Sequence, residues 1–162
     1  MNANAFRHFY EYHFSENRKI WDTCIASLSQ EQFLIDTGYS SGSVRNQLVH
    51  IMSADNAWFS GLSGVDGLNT DNPDAFTDRN VLRSHWDTVE KNMRDYLAKL
   101  QDDMLLEKPF SEGEDKDLIL WQVLLHVANH GTDHRAQLLR LLNDMGVKTE
   151  SQDYIFYIYE HM

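Results

Sequence analysis

Between residues 120 and 145 the chain reads LWQVLLHVANHGTDHRAQLLRLLNDM, a proline-free helical pattern that carries His126, His130 and His134 at intervals of four. Successive helical residues advance about 100°, so a step of four returns to nearly the same face one turn along. His130 and His134 can therefore reach one ion together, and so can His126 and His130. His126 and His134 are separated by about 12 Å along the axis, too far to share an ion. One helix thus supplies two ligands at most, and a third has to come from another element.

The same projection puts Val123, Val127, Gln137, Leu138 and Leu141 on the side of His130, so the histidines look into the protein. A single histidine on an apolar stripe is more often a hydrogen-bonded core residue than a ligand. A pair at chelating spacing, with a further histidine on a separate helix, reverses that balance.

With 162 residues the chain has the length of one domain, and a single domain spanning 1–162 is expected to bury its core without disulfides or a structural metal. Hydrophobic residues make up 42% and charged residues 24%, with 2 Pro and 8 Gly, which fits a helix-rich globular protein and argues against disorder. The net charge of −11 repels phosphate backbones and anionic lipid, so neither nucleic acid nor a membrane surface is a favoured partner. Cys24 is the only cysteine, which excludes an intrachain disulfide and a cysteine-based zinc site. Any metal site has to use histidine and carboxylate. The start of the chain lacks a long apolar run and a small-residue cleavage site, so the cytoplasm is the expected location.

Apolar residues at Phe6, Phe9, Tyr10, Ile20, Trp21, Cys24, Ile25 and Leu28 predict a first amphipathic helix over about residues 6–28, with His13 and Asn17 in its inward stripe as core hydrogen-bonding groups. A polar, glycine-containing connection with one short turn of structure follows, and Ser43 is the expected N-cap of a second helix with Val44, Leu48, Ile51, Met52, Phe59 and Leu62 on one face. His50 lies beside that face among Asn46, Gln47, Ala54 and Ala57, which leave room around its ring. Residues 60–76 read as a loop. Thr77 is expected to open a third helix over about 78–101, whose stripe includes His85 and Trp86 as packing residues. A short hairpin or plain loop precedes the last long helix, with Asp117 as expected N-cap and Gly146 as C-cap. The aromatic tail at residues 154–159 has to pack on the bundle or on a second subunit. No nucleotide-binding, serine-hydrolase or HExxH motif is present. Cys24, on a buried stripe, reads as a small hydrophobe.

Four long helical patterns, a histidine midway along the second, and NHGTDHRAQLL in the fourth resemble the DinB/YfiT superfamily of four-helix-bundle metalloproteins over nearly the whole chain. His126, Asn129, His130, His134, Arg135 and Gln137 match its H-x-x-N-H-x-x-x-H-R-x-Q pattern, and Tyr12 and Asn17 are similar to its opening helix. The resemblance implies an all-α four-helix bundle and a metal held by His50, His130 and His134. It leaves His126 a core residue or a neighbour of the ligands. Asp133 stands where many members have another histidine, and Ala136 where many have glycine. Asp133 is expected to meet Arg135 or solvent, or to orient a ligand histidine.

The implied metal is divalent, commonly zinc or nickel, and the implied activity is that of a transferase or isomerase using a low-molecular-weight thiol, acting on a small-molecule substrate, in a homodimer. Asn17, Asn46, Gln47 and Asn129 are candidate pocket residues. Arg45, Arg135 and Lys19 are candidate partners for an anionic thiol. A metal-dependent hydrolase and a non-catalytic metal-binding stress-response protein are the competing readings; the latter predicts a closed site.

Overall fold

The computed structural model describes residues 1–70 and 72–162; Asp71, inside the expected loop, lies outside the described residues. The fold is all-α. Helix α1 spans Ala3–Ile20, α2 Gln30–Leu34, α3 Val44–Ser63, α4 Arg79–Lys99, α5 Leu120–Asp144 and α6 Tyr154–Glu160. The four long helices form the bundle, with α3 against both α4 and α5, and α1 against α5 and α4. Among the described residues no helix is long and apolar enough to cross a membrane.

The three-and-four spacing of apolar residues explains the core. Phe6, Tyr10 and Phe14 of α1, Leu48, Ile51 and Met52 of α3, Leu82, Trp86 and Met93 of α4, and Leu124, Val127 and Leu138 of α5 are all buried in one cluster. Each such side chain stabilises the fold by roughly 1.5–3 kcal/mol relative to exposure. Tyr10 also donates its hydroxyl to the Leu124 carbonyl at 2.8 Å, so a buried polar tip ties α1 to α5.

Helix ends depart from the sequence reading where a neighbouring group competes for the cap. Helix α1 begins earlier, because Asn2 accepts from the Ala5 N–H at 2.9 Å, and it ends in a π-helical turn at Trp21–Ile25. At the end of that turn the carbonyls of Ile25 and Leu28 accept from the Arg79 guanidinium at 3.0 and 2.5 Å. Ser43 caps α3 as expected, accepting from the Asn46 N–H at 3.1 Å. Asp78, not Thr77, caps α4, since its carboxylate takes the Asn80 N–H at 2.8 Å.

Asp117 is drawn instead into a 3-10 turn at Glu114–Asp117 and an ion pair with Lys108, so Ile119 occupies the α5 N-cap and the Gln122 side chain accepts its N–H at 2.9 Å. The connection before α5 is a loop with two 3-10 turns, and no strand occurs among the described residues. Gly146 closes α5 at φ +81°. Helix α6 lays Tyr154 and Tyr157 against Phe9 and Tyr12 of α1, while Ile155, Phe156 and Tyr159 remain exposed.

The loop after α3 is pinned back onto that helix. Asn56 donates to the Leu68 carbonyl at 2.8 Å and accepts from the Leu68 N–H at 3.1 Å, and Ser53 donates to the Thr70 carbonyl at 2.8 Å. This brings Thr70 and Pro73 beside His50.

Candidate metal centre

Three histidines from two helices meet at the α3–α5 interface. His50 projects from α3, and His130 and His134 from successive turns of α5. His50 Nε2 is 3.1 Å from His134 Nε2 and 3.2 Å from His130 Nε2. A tetrahedral ion with imidazole bonds of about 2.0–2.1 Å sets its nitrogens roughly 3.3 Å apart, so the observed separations match that edge. Among the described residues these three form the one group of His, Cys, Asp and Glu side chains close enough to bind a metal ion. His130 and His134 are half-buried and His50 is exposed, which leaves one side of the group open. A cavity of about 360 Å³ lies beside His50, lined also by Ser41, Asn46, Val49, Ser53, Thr70 and Pro73.

Burial, followed by the neighbouring His134 and His50 rings, pushes the His130 pKa down to about 4. Burial and His50 also lower that of His134. A depressed basic group is held neutral in the folded state, and a neutral imidazole is the form that offers a lone pair to an ion. His130 and His134 are therefore held in the neutral form at neutral pH.

Gln47, 1% exposed, braces His134. Its Nε2 lies 2.8 Å from His134 Nδ1 and 3.1 Å from the His134 carbonyl, while its Oε1 accepts from Ser40 Oγ at 3.1 Å. This orientation keeps the His134 proton on Nε2. Turned over, the isosteric carboxamide accepts from Nδ1–H and frees Nε2 as a ligand, at the loss of the bond to the carbonyl.

Beneath the histidines lies a buried polar row. Arg135, 1% exposed, donates to His13 Nδ1 at 3.0 Å, Asn17 Oδ1 at 3.1 Å, Gln152 Oε1 at 2.9 Å and Thr132 Oγ1 at 3.1 Å. His13 Nε2 in turn lies 3.2 Å from Asp55 Oδ2. Gly131 makes this packing possible, because a Cβ there would fall 2.3 Å from His13 Cε1 and 2.7 Å from His13 Nδ1. Gly131→Ala is accordingly expected to destabilise the protein in urea denaturation, by about 1–3 kcal/mol of overpacking. That sign is informative, since helix propensity alone would favour alanine by about 1 kcal/mol.

The structure brings together His50, His130 and His134, with Gln47 bonded to His134 and Asn46 beside His50, and places the other residues singled out in the sequence apart from them. His126 is exposed and packs edge-on against Trp58 at 5.3 Å, so it is neither a core residue nor part of the group. Asn46 lines the cavity, but Asn17 is buried in the Arg135 row and Asn129 is exposed on α5. Asp133 does not reach Arg135, which turns inward; its carboxylate accepts from Gln137 at 3.0 Å. His85 bonds its own Val81 carbonyl and packs on Phe76, a structural role as expected.

The three candidate cations are committed elsewhere: Arg45 to Asp74 at 2.8 Å, Lys19 to Glu150 at 3.4 Å, and Arg135 to the buried row. Asp55 and Gln152 escaped the sequence reading. Asp55 falls four residues after Ile51 and before Phe59, so a carboxylate on the apolar stripe was a usable signal. Gln152 sits between helices, where periodicity says nothing.

Comparison with known proteins agrees with this architecture. The DinB family profile matches residues 1–161. Protein DinB of Bacillus subtilis (strain 168) is 27% identical over 168 residues, covering 98% of this chain and 96% of that protein. A match over nearly the full length, on an all-α bundle that gathers His50, His130 and His134, makes this chain a member of the DinB family.

Proposed function

We propose that this protein is a divalent-metal-dependent enzyme in which His50, His130 and His134 hold the ion and a small thiol serves as nucleophile in a transferase or isomerase reaction. The observation that supports this most is the convergence of three imidazoles on one point, of which the exposed His50 also lines a cavity. A divalent ion, zinc or nickel by its donor set, keeps its charge among neutral imidazoles and lowers the pKa of a thiol or water in the open position.

The chain's own residues do the rest. His130 and His134, one turn apart, chelate from a single rigid helix, and Gln47 holds the His134 ring in orientation. Asn46, Ser53 and Thr70 give the cavity a polar, uncharged lining suited to a small hydrogen-bonding substrate. The exposure of His50 counts against a closed, non-catalytic site. A metal-dependent hydrolase is the second reading, favoured by the engagement of Arg45, Lys19 and Arg135, which leaves an anionic thiol without an obvious cation.

The test is turnover by zinc- or nickel-loaded protein, with a low-molecular-weight thiol and an electrophile in one assay and an activated ester in another. Thiol conjugation that is lost on chelation supports the first reading, and ester cleavage alone supports the second. Chelation should leave the far-ultraviolet circular dichroism helical, because the apolar core of α1, α3, α4 and α5 does not include the three histidines. Loss of most helical signal would make the site a structural staple.

A further inference from the structure

Two buried side-chain polar atoms among the described residues lack a hydrogen-bond partner: Asp55 Oδ1 and His130 Nδ1. One is an acceptor, and the other is a donor in one of the two neutral imidazole tautomers. They stand at the same level of the bundle. Helix α3 meets α5 with His50 against His130 and His134, and farther along with Trp58 against His126; Asp55 lies on α3 between those contacts. The His13 ring that bonds Asp55 at 3.2 Å also lies against the turn that carries His130, since a Cβ on the next residue, Gly131, would fall 2.3 Å from His13 Cε1. A buried polar atom left unpaired loses its hydration without compensation, so two neighbouring orphans of complementary type point to a bond that is made when the site is loaded.

The direction of the hydrogen bonds follows from Arg135, which can only donate. His13 Nδ1 therefore accepts from it and His13 carries its proton on Nε2, which lies 3.2 Å from both Asn17 Nδ2 and Asp55 Oδ2; of these only the Asp55 oxygen can accept that proton's hydrogen bond. One carboxylate oxygen is thereby committed and Oδ1 remains. We propose that Asp55 is the positioning residue of the metal centre: Oδ1 accepts the Nδ1–H of His130 and so fixes the tautomer whose Nε2 lone pair faces His50 and His134. The proposal rests on the metal-site reading above. It makes Arg135, His13, Asp55 and His130 one continuous row from the core to the ligand, in the manner by which carboxylates orient ligating histidines.

Asp55→Asn is the isosteric test, because a carboxamide turns an N–H toward one of the two imidazoles whichever way it lies. Metal-free protein is titrated with zinc against a competing chelator. The variant is expected to keep the wild-type helical signal and to bind zinc on the order of 10–100-fold more weakly. In zinc-loaded wild type, nitrogen-15 NMR should show His130 ligating through Nε2, with a downfield, slowly exchanging Nδ1 proton that moves upfield or vanishes in the variant. Unchanged zinc affinity in folded Asp55→Asn overturns the role of Asp55 while leaving the metal site intact, whereas a wild type that takes up no zinc overturns both. Should the variant fail to fold, the wild-type spectrum alone decides: a His130 that binds through Nδ1, or whose Nδ1 proton exchanges freely with water, overturns the proposal.

Discussion

The His130→Ala variant is expected to purify with background metal while the wild type carries roughly one divalent ion per chain, by elemental analysis of both. His130 adjoins both other members of the group: its Nε2 is 3.2 Å from that of His50, and its ring centroid is 4.3 Å from that of His134 on the next turn of the same helix. Removing it leaves the exposed His50 and one α5 imidazole, with no chelating pair on a single helix. The His126→Gln variant supplies the contrast. Its ring lies against Trp58 with its centroid 6.0 Å from that of His130, so its loss should leave the metal content at the wild-type level. Full metal retention by His130→Ala would remove the assignment, and loss with His126→Gln alone would move it one turn along α5.

What could be read from the sequence was whatever depends on periodicity. The inward stripes of α1, α3, α4 and α5 follow from apolar residues at three and four, and the buried cluster is made of those residues. The same geometry limited α5 to two ligands per ion but left two pairs open; the family resemblance pointed to His130 and His134, and the position of His50 opposite them agrees. Helix ends were less legible because capping is a local competition. Thr77 and Asp78 are both suitable caps, and Asp117 has the right chemistry but is taken by Lys108 and its own 3-10 turn. The bracing of the site was least legible, since Gln47, Asp55 and Gln152 act through contacts between residues distant in sequence.

Arg135 is where that bracing should show most strongly in stability. Its guanidinium donates to His13, Asn17, Gln152 and Thr132 from a fully enclosed position, with the Tyr12 ring 5.8 Å from its carbon. Arg135→Met keeps apolar volume but leaves His13 Nδ1, Asn17 Oδ1 and Gln152 Oε1 without their donor and takes the compensating charge from Asp55. Removing one partner from a buried charged network costs about 3–5 kcal/mol. For a protein of this size that corresponds to a fall in melting temperature of roughly 6–20 °C. Arg135→Lys should rescue little of it, because a single ammonium cannot reproduce a planar fork that serves partners from α1, α5 and the segment before α6 at once. Urea denaturation of the metal-free proteins measures the loss without any contribution from ion binding. A loss under about 1 kcal/mol would mean that water replaces the guanidinium, and the row from Arg135 to Asp55 would then be too loosely held to orient His130.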